Sequence, residues 1–364
     1  MGEIRVVRAQ GMPLARGQQV GRELADLIQR SIDFYHRYLT KRGVTSESLQ
    51  DLLFPYLVAA EQQYPDAMAV LKGMSVGAMV PVLELFAINA FEELEPLLES
   101  PEGELRFLQK KEGYVAKPER CSSLTVRTSD GLLFAHNEHW LAGDSGNVAV
   151  VIDQPGGGRA PVASASVVCC LPAVGINGHG AVQGIGSLTA SDDVVGVPRV
   201  FVSRSTLEAH DRADAISRAT VETRAGGYGF VMGFPDGDAF AIETTGAQHR
   251  VLDGAGPHTN HYLDEDLASL APEASVGSKG RLTRLRQLLE ERRPQSPPKL
   301  MEVMRDHWSS PHSICLHPDP AEGEESSAVM FSVVCDVASR RMWVAPGNPC
   351  EHVYEEIDLR GVAV

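Results

Sequence analysis

No stretch of this 364-residue sequence reaches the roughly 18 uninterrupted apolar residues that a membrane-spanning helix requires. The opening MGEIRVVRAQG also lacks a hydrophobic signal region. The expectation is a cytoplasmic protein with no membrane partner. Cysteine is scarce. The six, at positions 121, 169, 170, 315, 335 and 350, are too few for a disulfide scaffold, and none forms the paired CxxC spacing that marks structural zinc. Reduced thiols are therefore expected. Basic residues are outnumbered, 33 Lys and Arg against 48 Asp and Glu, and the formal charge of -15 leaves no footprint for nucleic acid. A small-molecule or peptide ligand fits better. No internal repeat is present. What the sequence does have is 43% hydrophobic residues against 22% charged ones, the balance of a globular chain with a large core.

Texture divides the chain. From about Leu14 to Leu98 the apolar period is helical, with Leu24, Leu27, Ile28, Ile32 and Tyr35 on one face. The first hundred residues are expected to be mostly helix. Residues 100–120, SPEGELRFLQKKEGYVAKPER, are charged, contain Gly and Pro, and hold no apolar face, so they read as an exposed connection. After Cys121 the period becomes two. SLTVRT, GLLFAHNE and VAVVIDQ read as strands separated by the turn signals TSDG and QPGGG. Further strands are expected through APVASASVVCCLPAVGINGHGAVQGIGSL, with Cys169 and Cys170 in one of them, then YGFVMGF, DAFAIETT and SSAVMFSVVCDVASRRMWVAPG. Helices are expected at STLEAHDRADAISRAT and GRLTRLRQLLEERR. Strand runs and helix runs are segregated, which predicts packed sheets flanked by helices, an α+β fold.

The most unusual stretch is ERCSSLTVRTSDGLLFAHNEHW. It places a thiol, Cys121, at the mouth of one strand and the polar cluster Asn137-Glu138-His139 at the end of the next. From the residues alone, a cysteine ahead of a strand reads as a small buried hydrophobe. His258 and His261 in PHTNHYL have the HxxH spacing, but no third ligand stands near them, so no metal is expected. GINGHGAVQG lacks the strand-to-helix context of a nucleotide loop and reads as a tight turn carrying Asn177. Leu282, Leu285, Leu288 and Leu289 form the buried side of the helix that carries Arg281, Arg284 and Arg286, whose charges read as solvated.

CSSLTVRTSDGLLFAHNEHW resembles the start of the catalytic chain in the acyl-CoA:6-aminopenicillanic acid acyltransferase family, peptidase family C45, of N-terminal nucleophile (Ntn) hydrolases. Gly11, Gly17 and Gly21, then LELFAINAFEEL, GINGHGAV, PHTNHYL, SICLHPD and APGNPCEHVYEEIDL are similar to family blocks in the family order. The resemblance implies a four-layer αββα fold, made as a precursor that cuts itself between Arg120 and Cys121. Residues 1–120 would then form a small, mostly helical subunit packed in one domain with a catalytic chain of residues 121–364. Cys121 would be the nucleophile, its freed α-amine serving as base. Asn260 would donate to the tetrahedral oxyanion. Thr245 corresponds to a family serine near the nucleophile's amine.

Three positions depart from the family pattern. His139 stands where an aspartate usually orients the amine, and as a catalytic candidate its neutral imidazole is expected to accept a hydrogen bond from that amine instead. Glu138 is not expected to replace the aspartate, because neighbouring strand residues point to opposite faces. Arg120 stands where a glycine is usual, and Ser326 replaces an arginine of the penicillin enzyme. With Ser123, Asn137, Glu138, Thr245 and Asn177 as substrate-binding or site-supporting candidates, the expected activity is hydrolysis of a linear N-acyl or aminoacyl amide. Two readings stay open beside it. One is acyl transfer to an amine, with coenzyme A thioester as acyl donor, although the chain shows no basic cradle for its phosphates. The other is a scaffold without chemistry. No cofactor is otherwise expected.

Overall fold

The computed structural model describes residues 3–98, 121–360 and 362. Strand β1 (Arg5–Gln10) leads into six helices, α1 (Pro13–Glu23), α2 (Ala25–Lys41), α3 (Ser46–Gln63), α4 (Pro65–Ala78), α5 (Val82–Asn89) and α6 (Phe91–Leu98). The helical period expected from Leu14 is present. β1 carries no local signal of its own, because its ladder partner lies more than a hundred residues away. In α2 the expected face is buried: Leu27, Ile28, Ile32 and Tyr35 all point inward. Helices α1 and α4 approach closely through glycines; a Cβ at Gly17 would meet the Val70 carbonyl, and one at Gly73 the Leu14 carbonyl.

The second part runs β2 (Ser122–Thr128), β3 (Gly131–Leu141), β4 (Val148–Gln154), β5 (Val162–Val167), β6 (Val174–Asn177), β7 (Val182–Ser187), α7 (Arg199–Thr206), α8 (Arg212–Ala219), β8 (Tyr228–Gly233), β9 (Ala239–Thr244), β10 (His249–Asp253) and β11 (Pro257–His258). It continues through α9 (Glu265–Ala268), α10 (Val276–Arg292), α11 (Pro297–Met304), β12 (Ser327–Asp336), β13 (Arg341–Ala345) and β14 (Glu355–Glu356). Three local expectations change. The expected helix over STLEAHDRADAISRAT is two helices, because Asp211 starts a new one by accepting from the Asp214 amide. Cys169 and Cys170 lie in the turn after β5 rather than in a strand. Helix α11, opened by two prolines, was too short to show a period. The connection expected over residues 100–120, and with it Arg120, lies outside the described residues.

Among the described residues the strands form two sheets, ordered β1-β4-β5-β6-β7-β8-β9-β10 and β11-β2-β3-β12-β13-β14. All ladders are antiparallel except β1 with β4. β2 and β3 pack on β7, and β12 packs on β5 and β6, so the sheets stack face to face. Helices of the first hundred residues, with α7 and α8, share the core of the larger sheet. Helices α10 and α11 cover the smaller sheet, where Leu285, Leu288, Leu300 and Val303 meet Leu124, Leu133 and Ala135. The layers are helix, sheet, sheet, helix, as expected.

Pleating of β3 fixes what faces what. Leu132 and Phe134 lie on the side between the sheets, and Leu133 and Ala135 on the helix side. By the same alternation His136 and Glu138 look between the sheets, whereas Asn137 and His139 look toward α11.

Candidate active site

Cys121 lies one residue before β2 and is 3% exposed. Because Ser122 pairs with Asn137 across the β2–β3 ladder, the thiol comes beside the outgoing end of β3. Its Sγ donates to Glu138 Oε1 at 3.1 Å. The other carboxylate oxygen, Oε2, lies 2.9 Å from His136 Nε2, and His136 Nδ1 lies 2.8 Å from Ser123 Oγ. Thiol, carboxylate, imidazole and hydroxyl thus form one hydrogen-bonded chain. Burial, with the Glu138 charge adding to it, pushes the Cys121 thiol well above its ordinary pKa, while a hydrogen bond from the His139 backbone opposes the rise. Such a thiol holds its proton until a base takes it.

The structure reverses the expected parts of Glu138 and His139. Glu138 reaches the thiol; His139 sits on the helix side, with Nε2 donating to the Ile314 carbonyl at 3.1 Å and Nδ1 buried without a hydrogen-bond partner. Strand alternation does separate Glu138 from His139, but Cys121 projects between the sheets, on the side of Glu138. Asn137 shares the helix side, its Nδ2 donating to the carbonyls of Met304 at 3.0 Å and Ile314 at 2.9 Å.

Asn260 is brought to the site by an unexpected residue. Arg281, read from sequence as a solvated charge, is fully buried. Its guanidinium donates to the Cys121 carbonyl at 2.8 Å, to Ser122 Oγ at 2.9 Å and to Asn260 Oδ1 at 3.1 Å. One planar fork therefore fixes both the thiol's backbone and the amide expected to face an oxyanion. The signal available in sequence was position: Arg281 adjoins Leu282 and lies a helical turn before Leu285, on the buried side of α10. Asn260 Nδ2 donates to the Ser187 carbonyl at 3.3 Å. Arg284, on the same helix, pairs with Asp306 at 2.8 Å.

Two other candidates lie elsewhere. Thr245 is buried, but its hydroxyl donates to Asp192 at 2.6 Å and accepts from the Gln248 amide, which organises the turn after β9. Asn177 donates to the carbonyls of Leu207 and Ala209 and accepts from the amides of His179 and Ala181, tying the β6–β7 turn to the end of α7. His258, of the HxxH pair, bonds Glu243 at 2.7 Å, whereas His261 faces Ser278. These two histidines do not share a partner.

A cavity of about 50 Å³ opens at Glu138, with Trp140, Val167, Leu171, Ile185 and Phe331 in its apolar wall. A second, of about 70 Å³, opens at Asn260, and Glu92 lines both. A larger cavity of about 500 Å³ lies between α1, α4 and β4; it shares Ser166, Cys170 and Leu171 with the first but has neither Cys121 nor Glu138 in its wall. The small cavities are lined by Glu138 and Asn260, the groups that contact Cys121 and the Arg281 fork, and Cys121 itself lies in the wall of neither.

The family model for acyl-coenzyme A:6-aminopenicillanic acid acyl-transferase matches residues 126–351, well over half of the chain. The chain belongs to this family. The match begins just after Cys121 and includes Glu138, Asn260 and Arg281. No curated protein matches the sequence. Among solved structures, the chain is similar to penicillin V acylase from Agrobacterium tumefaciens, at 12% identity and a TM-score of 0.46 over 67% of this chain and 88% of that one. It is also similar to a mutant form of conjugated bile acid hydrolase from Clostridium perfringens, at 11% identity and 0.45 over 66% and 93%. A Caenorhabditis elegans ortholog of N-acylethanolamine-hydrolyzing acid amidase gives 12% and 0.40 over 60% and 93%. Among the described residues, no helix is long and apolar enough to cross a membrane.

Proposed function

We propose that this family member is an amidohydrolase that opens a linear amide through a thioester on Cys121. The observation that carries the reading is the 3.1 Å contact between the Cys121 thiol and Glu138, made beside a cavity. As Sγ attacks the substrate carbonyl, the thiol proton passes to Glu138, the S–C bond forms and the π electrons move to oxygen. Asn260 Nδ2 donates to that oxygen. Collapse breaks the C–N bond, and the proton returns to the departing amine. Water then cleaves the thioester, releasing the acid and restoring the thiol. His136 and Ser123 orient the Glu138 carboxylate, and Arg281 holds the Cys121 carbonyl and Asn260 in register. His139, engaged with Ile314, positions the neighbouring segment rather than the nucleophile.

The same attack on the Arg120 carbonyl would free the Cys121 α-amine, a second proton acceptor with an ordinary pKa of about 7.7 to 8.0. The apolar wall beside Glu138 favours a short apolar acyl group. Acyl transfer to an amine is the second reading, favoured by the family match itself. Turnover of a panel of short N-acyl and aminoacyl amides, with and without acceptor amines, tests the proposal and separates the two readings. Cys121→Ala should be inert. Glu138→Gln, which keeps the hydrogen bond but not the base, should lower kcat by about 100- to 10,000-fold. Asn260→Ala should lower it by about 100- to 1,000-fold with substrate binding retained. Full turnover in Glu138→Gln would refute the assignment.

A further inference from the structure

Two separated connections bring together four metal-ligating side chains that the proposed chemistry does not use. His307, Cys315 and His317 lie in the connection between α11 and β12, and Cys350 follows β13. We propose that His307, Cys315, His317 and Cys350 form a structural zinc site.

The distances suit a tetrahedron. His307 Nε2 lies 3.1 Å from His317 Nε2, Cys315 Sγ lies 3.5 Å from Cys350 Sγ, and His317 Nε2 lies 3.2 Å from Cys350 Sγ and 4.0 Å from Cys315 Sγ. All four ligand atoms fall within 4.8 Å of one another. Zinc bound by two sulfurs at about 2.3 Å and two nitrogens at about 2.0 to 2.1 Å implies tetrahedron edges of roughly 3.3 to 3.8 Å. The closest approaches observed bracket that range. The two sulfurs stand well beyond the roughly 2.05 Å of a covalent S–S bond, and both cysteines are free.

The surroundings hold these groups in place. Cys315 is fully buried, and its sulfur accepts from Asn348 Nδ2 at 3.5 Å, which fixes its position. His317 Nδ1 faces Glu351 Oε1 at 3.6 Å, leaving Nε2 directed at the cluster, the carboxylate–histidine arrangement that orients metal ligands. Two thiolates and a divalent ion cancel in charge, so the loaded site buries no net charge. Two thiolates with two imidazoles in tetrahedral array select zinc over the hard, oxygen-preferring cations. His307 and Cys350 are exposed, which gives the ion an entry path. With four protein ligands no position remains for water, so the ion's part is structural.

That part reaches the reactive strand. Ile314, whose carbonyl receives both Asn137 and His139, immediately precedes Cys315, and Met304, the other acceptor of Asn137, lies just before His307. A metal knot at 307, 315, 317 and 350 would fix the segment that β3 grips through the two residues flanking Glu138. The expectation of no metal followed from CxxC and HxxH spacings, and neither detects ligands assembled from two distant connections.

The test uses full-length, tag-free protein stripped with a chelator and then given one equivalent of zinc or cobalt(II). The wild type should retain one zinc per chain by elemental analysis after desalting, and cobalt should give the visible bands of tetrahedral thiolate coordination. Zinc should raise the melting temperature. Cys350→Ser and His307→Ala, both at the surface, should lose stoichiometric binding and the zinc-dependent rise, whereas Cys335→Ser and Cys121→Ala should keep both. Binding that survives in Cys350→Ser and His307→Ala, or that disappears only in Cys121→Ala, would overturn the assignment. So would a wild type that takes up no zinc, or one in which non-reducing peptide mapping finds Cys315 and Cys350 disulfide-bonded.

Discussion

On β3, Glu138 points between the sheets to the Cys121 thiol while His139, one residue on, points to the helices and bonds the Ile314 carbonyl. Burial, with the nearby Arg281 charge adding to it, holds His139 well below its ordinary pKa. His261 is pushed down to about 4, by burial first and then by neighbouring His258. In the unfolded chain both protonate near pH 6.5. Between about pH 6.5 and 4 the unfolded state therefore binds more protons than the folded one, and stability falls as pH falls. Melting temperature should decline across that window, and the double variant His139→Asn, His261→Gln should decline less steeply. Equal slopes would show that neither histidine is held neutral by the fold.

Helix α6 is fastened by charge. Glu93, on its buried face, accepts from Arg199 of α7 at 2.7 Å, and the same guanidinium donates to Asp193 at 2.5 Å. All three are nearly inaccessible. Removing the cation would leave two buried carboxylates unpaired, so Arg199→Met should cost about 3 to 5 kcal/mol in chemical denaturation. A loss under about 1 kcal/mol, the range of exposed pairs, would contradict this account. Helices and strands such as α2, β2, β3 and β12 were legible in the sequence because each carries its own period. β1 and α11 were not, since β1 depends on a distant ladder partner and α11 is eight residues long. In the site, the thiol, Asn260 and the polar cluster of β3 were legible as residues. Their pairing was not, because it depends on which face of β2 and β3 Cys121 joins. Arg281 escaped notice because charge suggests solvent, and only the three-dimensional arrangement supplies the carbonyl, hydroxyl and amide that its two terminal nitrogens meet.

The stretch before residue 99 and the stretch after 120 share one core that runs from Ile4 to Val362. β1 extends the larger sheet alongside β4, and Arg16 pairs with Asp153 at 2.5 Å. Tyr35 receives the Trp140 indole, while Asn89 donates to the Cys169 carbonyl and accepts from the Leu171 amide. A cut between Arg120 and Cys121 would leave these contacts in place, and separating the pieces would expose apolar surface at roughly 25 cal/mol per Å². The central claim, that Cys121 is a nucleophile that frees its own amine, is tested most directly by intact-mass spectrometry with N-terminal sequencing of the purified protein. The account predicts two co-purifying fragments, one ending at Arg120 and one beginning at Cys121, and a single uncut, inactive chain for Cys121→Ala. A wild-type chain that stays whole while turning over amides would contradict the self-cleavage and the freed amine, leaving Glu138 as the base.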